Sequence, residues 1–303
     1  MQLPVTRDNH TIQGLAPTNP ADAGPAEAPD TELPAVSEAY RTHRRFDRAA
    51  RLFTEPGLHR LMAARVVIIG VGGVGSFAAE ALARSGVGQL TLVDFDKVCI
   101  TNTNRQLHAM QGTIGKQKVA VMAERLAKVH PTGSIQALPV FYNQETSHDI
   151  LEQGADFVID AIDNVTAKAH LLASCLQRKI PVVSSMGAAA RMDPTQIKVC
   201  DLSETTVDPF ARAVRQMLRK QHGLSIEKGR PLGIEAVFST EPPRAPAELS
   251  YDQGGFRCVC PGGKNGMHDC ERRSRIDGTA AFVTGAFGLA AASVVVQRLL
   301  DAG

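Results

Sequence analysis

The sequence predicts an α/β fold, a doubly wound and mostly parallel sheet of Rossmann-like outline with C-terminal strand and loop additions, and three observations carry that expectation. An apolar β run, Val66-Val67-Ile68-Ile69, leads straight into the glycine-rich turn Gly70-Val71-Gly72-Gly73-Val74-Gly75. Strand-like runs then alternate with helix-like stripes as far as Ser185, and such alternation packs as parallel βαβ units. Finally, Gly278 to Gln297 carries no charged residue, which suits a helix buried against a parallel sheet.

Each element has its own reason. Phe77 to Arg84 lacks β-branched residues and reads as a helix stopped at Ser85-Gly86, and Gln89 to Asp94 reads as the second strand. Lys118 to His130 sets Val119, Met122, Ala123, Leu126 and Val129 on one helical face before Pro131 ends it. Strands are expected at Ile135 to Val140, Phe157 to Ile162 and Pro181 to Ser185, with a helix from Thr166 to Arg178 between the last two. Gln196 to Cys200 reads as a strand outside the simple alternation. At Asp208-Pro209 an N-cap acceptor meets a first-turn proline, and Gly223 can close the helix they begin.

Composition bounds the rest. With 44% apolar and 21% charged residues in 303, the chain has enough to bury a large core. Residues 1–38 are rich in Pro, Ala, Thr and Gly and are expected to be a disordered arm, leaving 39–303 as one domain with a long crossover-type loop over 240–278. Lys and Arg number 33 against 31 acidic residues, a net charge of +2, so composition gives no general pull toward a polyanion. The six cysteines are scattered and no secretory signal opens the chain, so reduced thiols in the cytoplasm are expected. The apolar stretch 278–297 is long enough for a membrane-associated alternative, but its glycines and alanines favour burial over stable insertion.

Gly70-x-Gly72-x-x-Gly75, between a strand and a helix, is a turn whose backbone N–H groups can face phosphate, and Asp94 ends the second strand about 20 residues on, where a carboxylate can hold ribose hydroxyls. That much serves NAD and ATP equally. The next residues favour ATP: Asn102, Asn104, Arg105, Gln106 and Lys118 supply two separated cations plus amides, as a triphosphate under attack requires. Asp160-Ala161-Ile162-Asp163-Asn164 then puts hard oxygen ligands at a strand's carboxyl end, as a magnesium site requires, although Asp160 reads more readily as a structural residue of the strand end than as a second ligand.

These motifs together, over residues 40 to 300, resemble the superfamily of molybdopterin-synthase adenylyltransferases, thiamine-biosynthesis adenylyltransferases and ubiquitin-activating enzymes. The resemblance implies that Gly70, Gly72, Gly73 and Gly75 line the phosphates, that Asp94 holds the ribose, and that Asn102, Arg105, Lys118 and Asn164 contact the nucleotide. It implies Asp163 as the Mg2+ ligand. It also implies a homodimer whose partner subunit lends an arginine from an N-terminal helix, for which Arg48 or Arg51 in the segment from Arg45 is the candidate.

Within the superfamily the two Cys-x-x-Cys zinc pairs are missing, and the runs Thr101-Asn102-Thr103-Asn104-Arg105-Gln106, Asp193-Pro194-Thr195-Gln196-Ile197, Asp208-Pro209 and Val237 to Glu241 are similar to the tRNA threonylcarbamoyladenosine dehydratase branch. That branch implies ATP-dependent cyclisation of a modified adenosine beside the tRNA anticodon through an acyl-adenylate, with Arg105, Lys118 and Asp163 catalytic. Here the branch's Gly-Gly-Ala-Gly-Gly stretch reads Gly187-Ala188-Ala189-Ala190-Arg191. Cys270 falls in the crossover-loop region where relatives keep a nucleophilic cysteine and reads either as a catalytic acceptor of an acyl or sulfur group or as an ordinary loop thiol, and a cysteine desulfurase or sulfur-relay protein is a further candidate partner. The alternatives are activation of the C-terminal carboxylate of a ubiquitin-like sulfur carrier, acting with Cys270, and a non-catalytic nucleotide-binding scaffold. Cys258, Cys260, His268 and Cys270 are a weaker zinc candidate. Arg212, Arg215 and Arg219 fall on one helical face, which reads either as a track for tRNA phosphate or as a solvated surface.

Overall fold

The computed structural model describes residues 43–250 and 276–302. Two short helices, α1 (Asp47–Phe53) and α2 (Glu55–Ala63), precede β1 (Arg65–Ile69), and α3 (Gly75–Arg84) follows the glycine turn. Then come β2 (Gln89–Val93), α4 (Lys118–Val129), β3 (Ser134–Leu138), α5 (Ser147–Leu151), β4 (Phe157–Asp160), α6 (Val165–Arg178) and β5 (Val182–Ser185). The final part is β6 (Ile197–Asp201), α7 (Pro209–His222), β7 (Glu235–Ser239) and α8 (Ala281–Asp301).

The strands form one seven-stranded sheet in the order β3-β2-β1-β4-β5-β7-β6, in which only the edge strand β6 runs antiparallel. The order reverses at β1, where a doubly wound sheet binds its ligand outside the carboxyl ends. Both faces are covered, which is why β1 is apolar at successive positions. Val66 and Ile68 point into the core beneath α3, α4 and α8, and Val67 and Ile69 into the core beneath α5, α6 and α7.

The expected elements are present, with shifted ends. β3 stops at Leu138 because Pro139 has no N–H for the ladder. The strand expected to reach Ile162 stops at Asp160, whose Oδ1 accepts the Ile162 N–H at 3.1 Å and turns the chain. β7 is a strand that the local pattern does not announce; it lies between β5 and β6 and joins the additional antiparallel edge to the sheet. α7 has the expected caps: Asp208 accepts from the Phe210 and Ala211 amides, and Gly223 closes the helix at φ 64°.

α8 is long and apolar enough to cross a membrane, yet half of that stretch is buried across the sheet. Its two glycines set the contact with α3: a Cβ on Gly288 would lie 2.3 Å from the Val74 carbonyl oxygen, and one on Gly285 3.1 Å from the Phe77 ring. The helices therefore approach more closely than side chains would allow. Glu241 to Ser250 and Ile276 to Ala280 form neither helix nor strand, and the arm 1–38 and residues 251–275 lie outside the described residues.

Candidate nucleotide site

The site is assembled at the carboxyl ends of β1, β2 and β4. Gly70 has φ +90°, and a Cβ there would meet the Ala161 carbonyl oxygen at 2.6 Å; one on Gly75 would lie 1.8 Å from the Gly70 oxygen. Gly73 faces Thr284 Oγ1 of α8 at 3.1 Å and Arg105 Cγ at 3.3 Å. Packing accounts for these three glycines. Gly72 is different: an added Cβ meets nothing nearer than Gln106 Nε2 at 3.8 Å and its backbone is not left-handed. The space over Gly72 is open to a ligand. Gly72→Ala is therefore expected to melt within about 1 °C of the unmodified chain while binding ATP at least about tenfold more weakly, as calorimetry would show.

Asp94 braces the turn, with Oδ2 accepting the Val71 N–H at 2.7 Å and Oδ1 the Asp96 N–H at 2.9 Å. Each oxygen keeps a lone pair for a hydroxyl. Lys118, in the first turn of α4 and only 6% exposed, places Nζ 2.7 Å from Asp96 Oδ2. Burial acts to depress its pKa, but Asp94, Asp96 and Asp163 outweigh that and hold it above the ordinary lysine value, so it stays charged. One buried cation thus faces three carboxylates from β2, its following loop and the β4 end.

Arg105 stands beside Gly73, its Nη1 donating to the Thr101 carbonyl at 2.9 Å and Asn104 Oδ1 at 3.0 Å. Asn104 in turn donates to the Thr279 carbonyl at 2.9 Å, tying this turn to the start of α8. Asn102 is buried and its Oδ1 accepts the Cys99 N–H at 3.0 Å. Asp163 is exposed in the crevice, and Asn164 caps α6 by accepting the Ala167 N–H at 3.0 Å. Arg48 is exposed on α1, whose preceding Phe46 packs on His130 and Gly86 at the opposite end of the sheet. Cys270 and the zinc candidates Cys258, Cys260 and His268 lie outside the described residues, and no cluster of three metal-binding side chains occurs among the described ones.

Asp160 belongs to the core instead of the crevice. It is fully buried, with Oδ2 2.7 Å from Lys168 Nζ and 2.5 Å from Ser184 Oγ. Lys168 also donates to the Ser185 carbonyl at 2.9 Å, so this pair fastens β4, β5 and α6 together below Asp163. The structural reading of Asp160 is the one the structure supports, and what the sequence does not indicate is its partner, an interior lysine eight residues on.

Two further side chains carry unused polar atoms near the site. Gln106 is buried with no partner for Oε1, and its Nε2 borders the space over Gly72. His108 is wholly buried with both ring nitrogens unpaired, and burial, aided by the Lys118 charge, lowers its pKa to about 4. The unfolded chain takes up this proton near pH 6.5 and the folded chain only near 4, so stability falls as pH drops through that window. The loss is expected to reach a few kcal/mol by pH 4, and His108→Leu should flatten that part of a denaturant-monitored pH profile.

Comparison with known proteins agrees with this geometry. The model of the ThiF family matches residues 46–303. The chain is 44% identical over 257 residues to the tRNA threonylcarbamoyladenosine dehydratase of Haemophilus influenzae, covering 85% of this chain and 94% of that one. It is 40% identical over 266 residues to the enzyme of the same name from Escherichia coli K12, covering 88% and 96%. The crystal structure of the E. coli enzyme in complex with ATP superposes with a TM-score of 0.74 at 37% identity, over 88% of this chain and 98% of that chain. The chain belongs to the ThiF family, in its branch of tRNA threonylcarbamoyladenosine dehydratases.

Proposed function

We infer that the chain is an ATP-dependent dehydratase that cyclises the threonylcarbamoyl side chain of a modified adenosine in tRNA. The observation that carries this reading is the open phosphate cradle over Gly72 flanked by Arg105 and Lys118, in a chain matched over most of its length to enzymes of that name. A carboxylate is a poor electrophile, since its leaving group would be oxide. Attack of the threonyl carboxylate on the α-phosphorus of ATP releases pyrophosphate and leaves a mixed anhydride with AMP. A neighbouring group of the same side chain then attacks the acyl carbon, AMP departs, and the ring closes with net loss of water. Tethering supplies an effective molarity on the order of 10⁵ M or more in favourable cases.

The residues divide accordingly. Lys118 and Arg105 face the charge that grows on the phosphates. Asp94 and the glycine turn hold the nucleoside end, and Asn102 shapes the Arg105 turn through its bond to Cys99. The single exposed carboxylate of Asp163 beside Lys118 fits Mg2+, which is bound through one or two carboxylates plus phosphate oxygens and would neutralise the departing pyrophosphate. Phe46, two residues before Arg48, packs at the end of the sheet opposite the site, one five-residue strand of about 16 Å away, and the reading includes a homodimer in which Arg48 serves the other subunit's nucleotide. Location in the cytoplasm belongs to the same reading.

The test is mass spectrometry of nucleosides from threonylcarbamoyl-modified tRNA incubated with the purified protein and magnesium-ATP. The expected result is loss of one water from the modified adenosine, abolished in Arg105→Ala and Asp163→Ala. An unchanged nucleoside, with pyrophosphate released when a ubiquitin-like sulfur carrier is supplied, would overturn this reading in favour of carrier activation.

A further inference from the structure

A net charge of +2 over the whole chain offers a polyanion little, so an RNA-binding surface must come from local arrangement. Among the described helices, α7 is the most one-sided in charge. Its sequence, PFARAVRQMLRKQH, contains Arg212, Arg215, Arg219 and Lys220 and no acidic residue. The helix buries Ala211, Val214 and Leu218 and exposes Arg212, Arg219 and Lys220.

The four cations are not equivalent. Arg215 is turned inward and hydrogen-bonds the Leu202 and Thr205 carbonyls and the Thr205 hydroxyl, while Arg219 spends one nitrogen on the Ile226 carbonyl at 2.6 Å. Arg212 and Lys220 have no ion pair among the described residues. The acids within reach are engaged: Asp208 caps the helix, Asp201 accepts the Ser203, Leu232 and Gly233 amides, and Glu204 accepts the Gly229 amide. Burial and then the Arg219 and Arg212 charges lower the Arg215 pKa, and the Asp208 charge only partly offsets them.

A fifth cation joins from the edge of the sheet. Lys198 on β6 is exposed and pairs in register with Phe238, whose side chain enters the core under α7, so Lys198 stands on the same face as the helix. The row also starts at the nucleotide end of the molecule. Asp208 Oδ2 accepts the Gly187 amide at 3.0 Å just beyond β5, and the Phe210 ring lies 5.6 Å from Lys168 Nζ, which is bonded to the end of β4. From Arg212 to Lys220 the row extends about 12 Å along the helix axis.

We propose that the exposed face of α7 with Lys198, led by Arg212, Arg219 and Lys220, is where the ribose-phosphate backbone of the tRNA substrate lies as its modified adenosine enters the crevice. This rests on the dehydratase reading above. Such contacts position the RNA and carry no base sequence.

The test compares the full chain with the triple variant Lys198→Glu, Arg212→Glu, Lys220→Glu, leaving Arg215 and Arg219 with their internal bonds. Binding of threonylcarbamoyl-modified tRNA is measured across a NaCl series, beside ATP binding by calorimetry and the cyclisation KM for tRNA. Expected are tRNA affinity at least about tenfold lower at 0.1 M salt, a log–log salt slope shallower by about two, and an unchanged ATP affinity. A charge control on the other sheet face, Lys128→Glu, should leave the slope where it was. If the unaltered chain binds and cyclises tRNA and the triple variant does so with the same slope and KM, this surface is wrong and the dehydratase reading stands. If the unaltered chain binds ATP but neither binds nor alters the tRNA, the dehydratase reading fails and the surface fails with it.

Discussion

Lys118→Met is expected to lower the rate of cyclisation by roughly 10²–10³-fold and to weaken ATP binding at the same time. The double effect arises from the surroundings of the ammonium group. Asp94, Asp96 and Asp163 all act on it, and Asp96 touches it at 2.7 Å. Without it the crevice presents three carboxylates to a ligand that is itself polyanionic, so both the bound nucleotide and the charge developing on its phosphates lose their counterweight. Lys118→Met with Asp96→Asn should recover thermal stability and part of the ATP affinity, because one stranded carboxylate is removed, but not the rate. Single-turnover cyclisation alongside calorimetry separates the two. A rate in Lys118→Met within threefold of the unaltered chain would remove Lys118 from the chemistry.

Lys168→Met should be the most destabilising single change at the carboxyl end of the sheet. Lys168 and Asp160 are both fully buried, and the lysine makes bonds to Asp160, Ser184 and the Ser185 carbonyl at 2.7, 3.2 and 2.9 Å. Burial presses its pKa down while Asp160 presses it up, and burial prevails. Removing one partner of such a pair leaves an uncompensated charge, a loss of about 3–5 kcal/mol. In a domain of this size that corresponds to a fall in Tm of roughly 10 °C. Combining Lys168→Met with Asp160→Leu should restore much of it, since apolar groups then replace both charges. If the double variant melts no higher than the single one, the pair is not what holds these strands.

The parts of the molecule that were legible in the sequence are those written in local pattern. The glycine turn, the apolar stripe of α4 and the Asp208 and Gly223 caps each specify backbone conformation from neighbouring residues, and each stands as expected. Asp94, Lys118 and Asp163 stand out from their motifs, and the structure gathers them about one buried ammonium group. The features that escaped depend on distant partners. β7 is a strand because β5 and β6 lie on either side of it, and its five residues carry no period of their own. Asp160 reads from its strand-end position as structural, and so it is, but its partner, the buried Lys168 ammonium group, is one that no spacing reveals. Arg215 likewise sits in the predicted basic row but turns to the Leu202 and Thr205 carbonyls.

The crossing of α3 and α8 at Gly285 and Gly288 joins elements from opposite ends of the described chain, and this shapes the order of events on the ribosome. β1 and its glycine turn leave the ribosome more than 200 residues before α8, so at a synthesis rate of about 5–20 residues per second one sheet face stays without this helix for roughly 10–40 s. During that interval Val74, Phe77 and Ala78 are bare where Gly288 will later press against them. A nascent polypeptide that long with an open apolar layer is a natural client for chaperones. Bulk at either glycine would act chiefly there, by slowing the last docking event and lengthening the time in which the unfinished chain can aggregate.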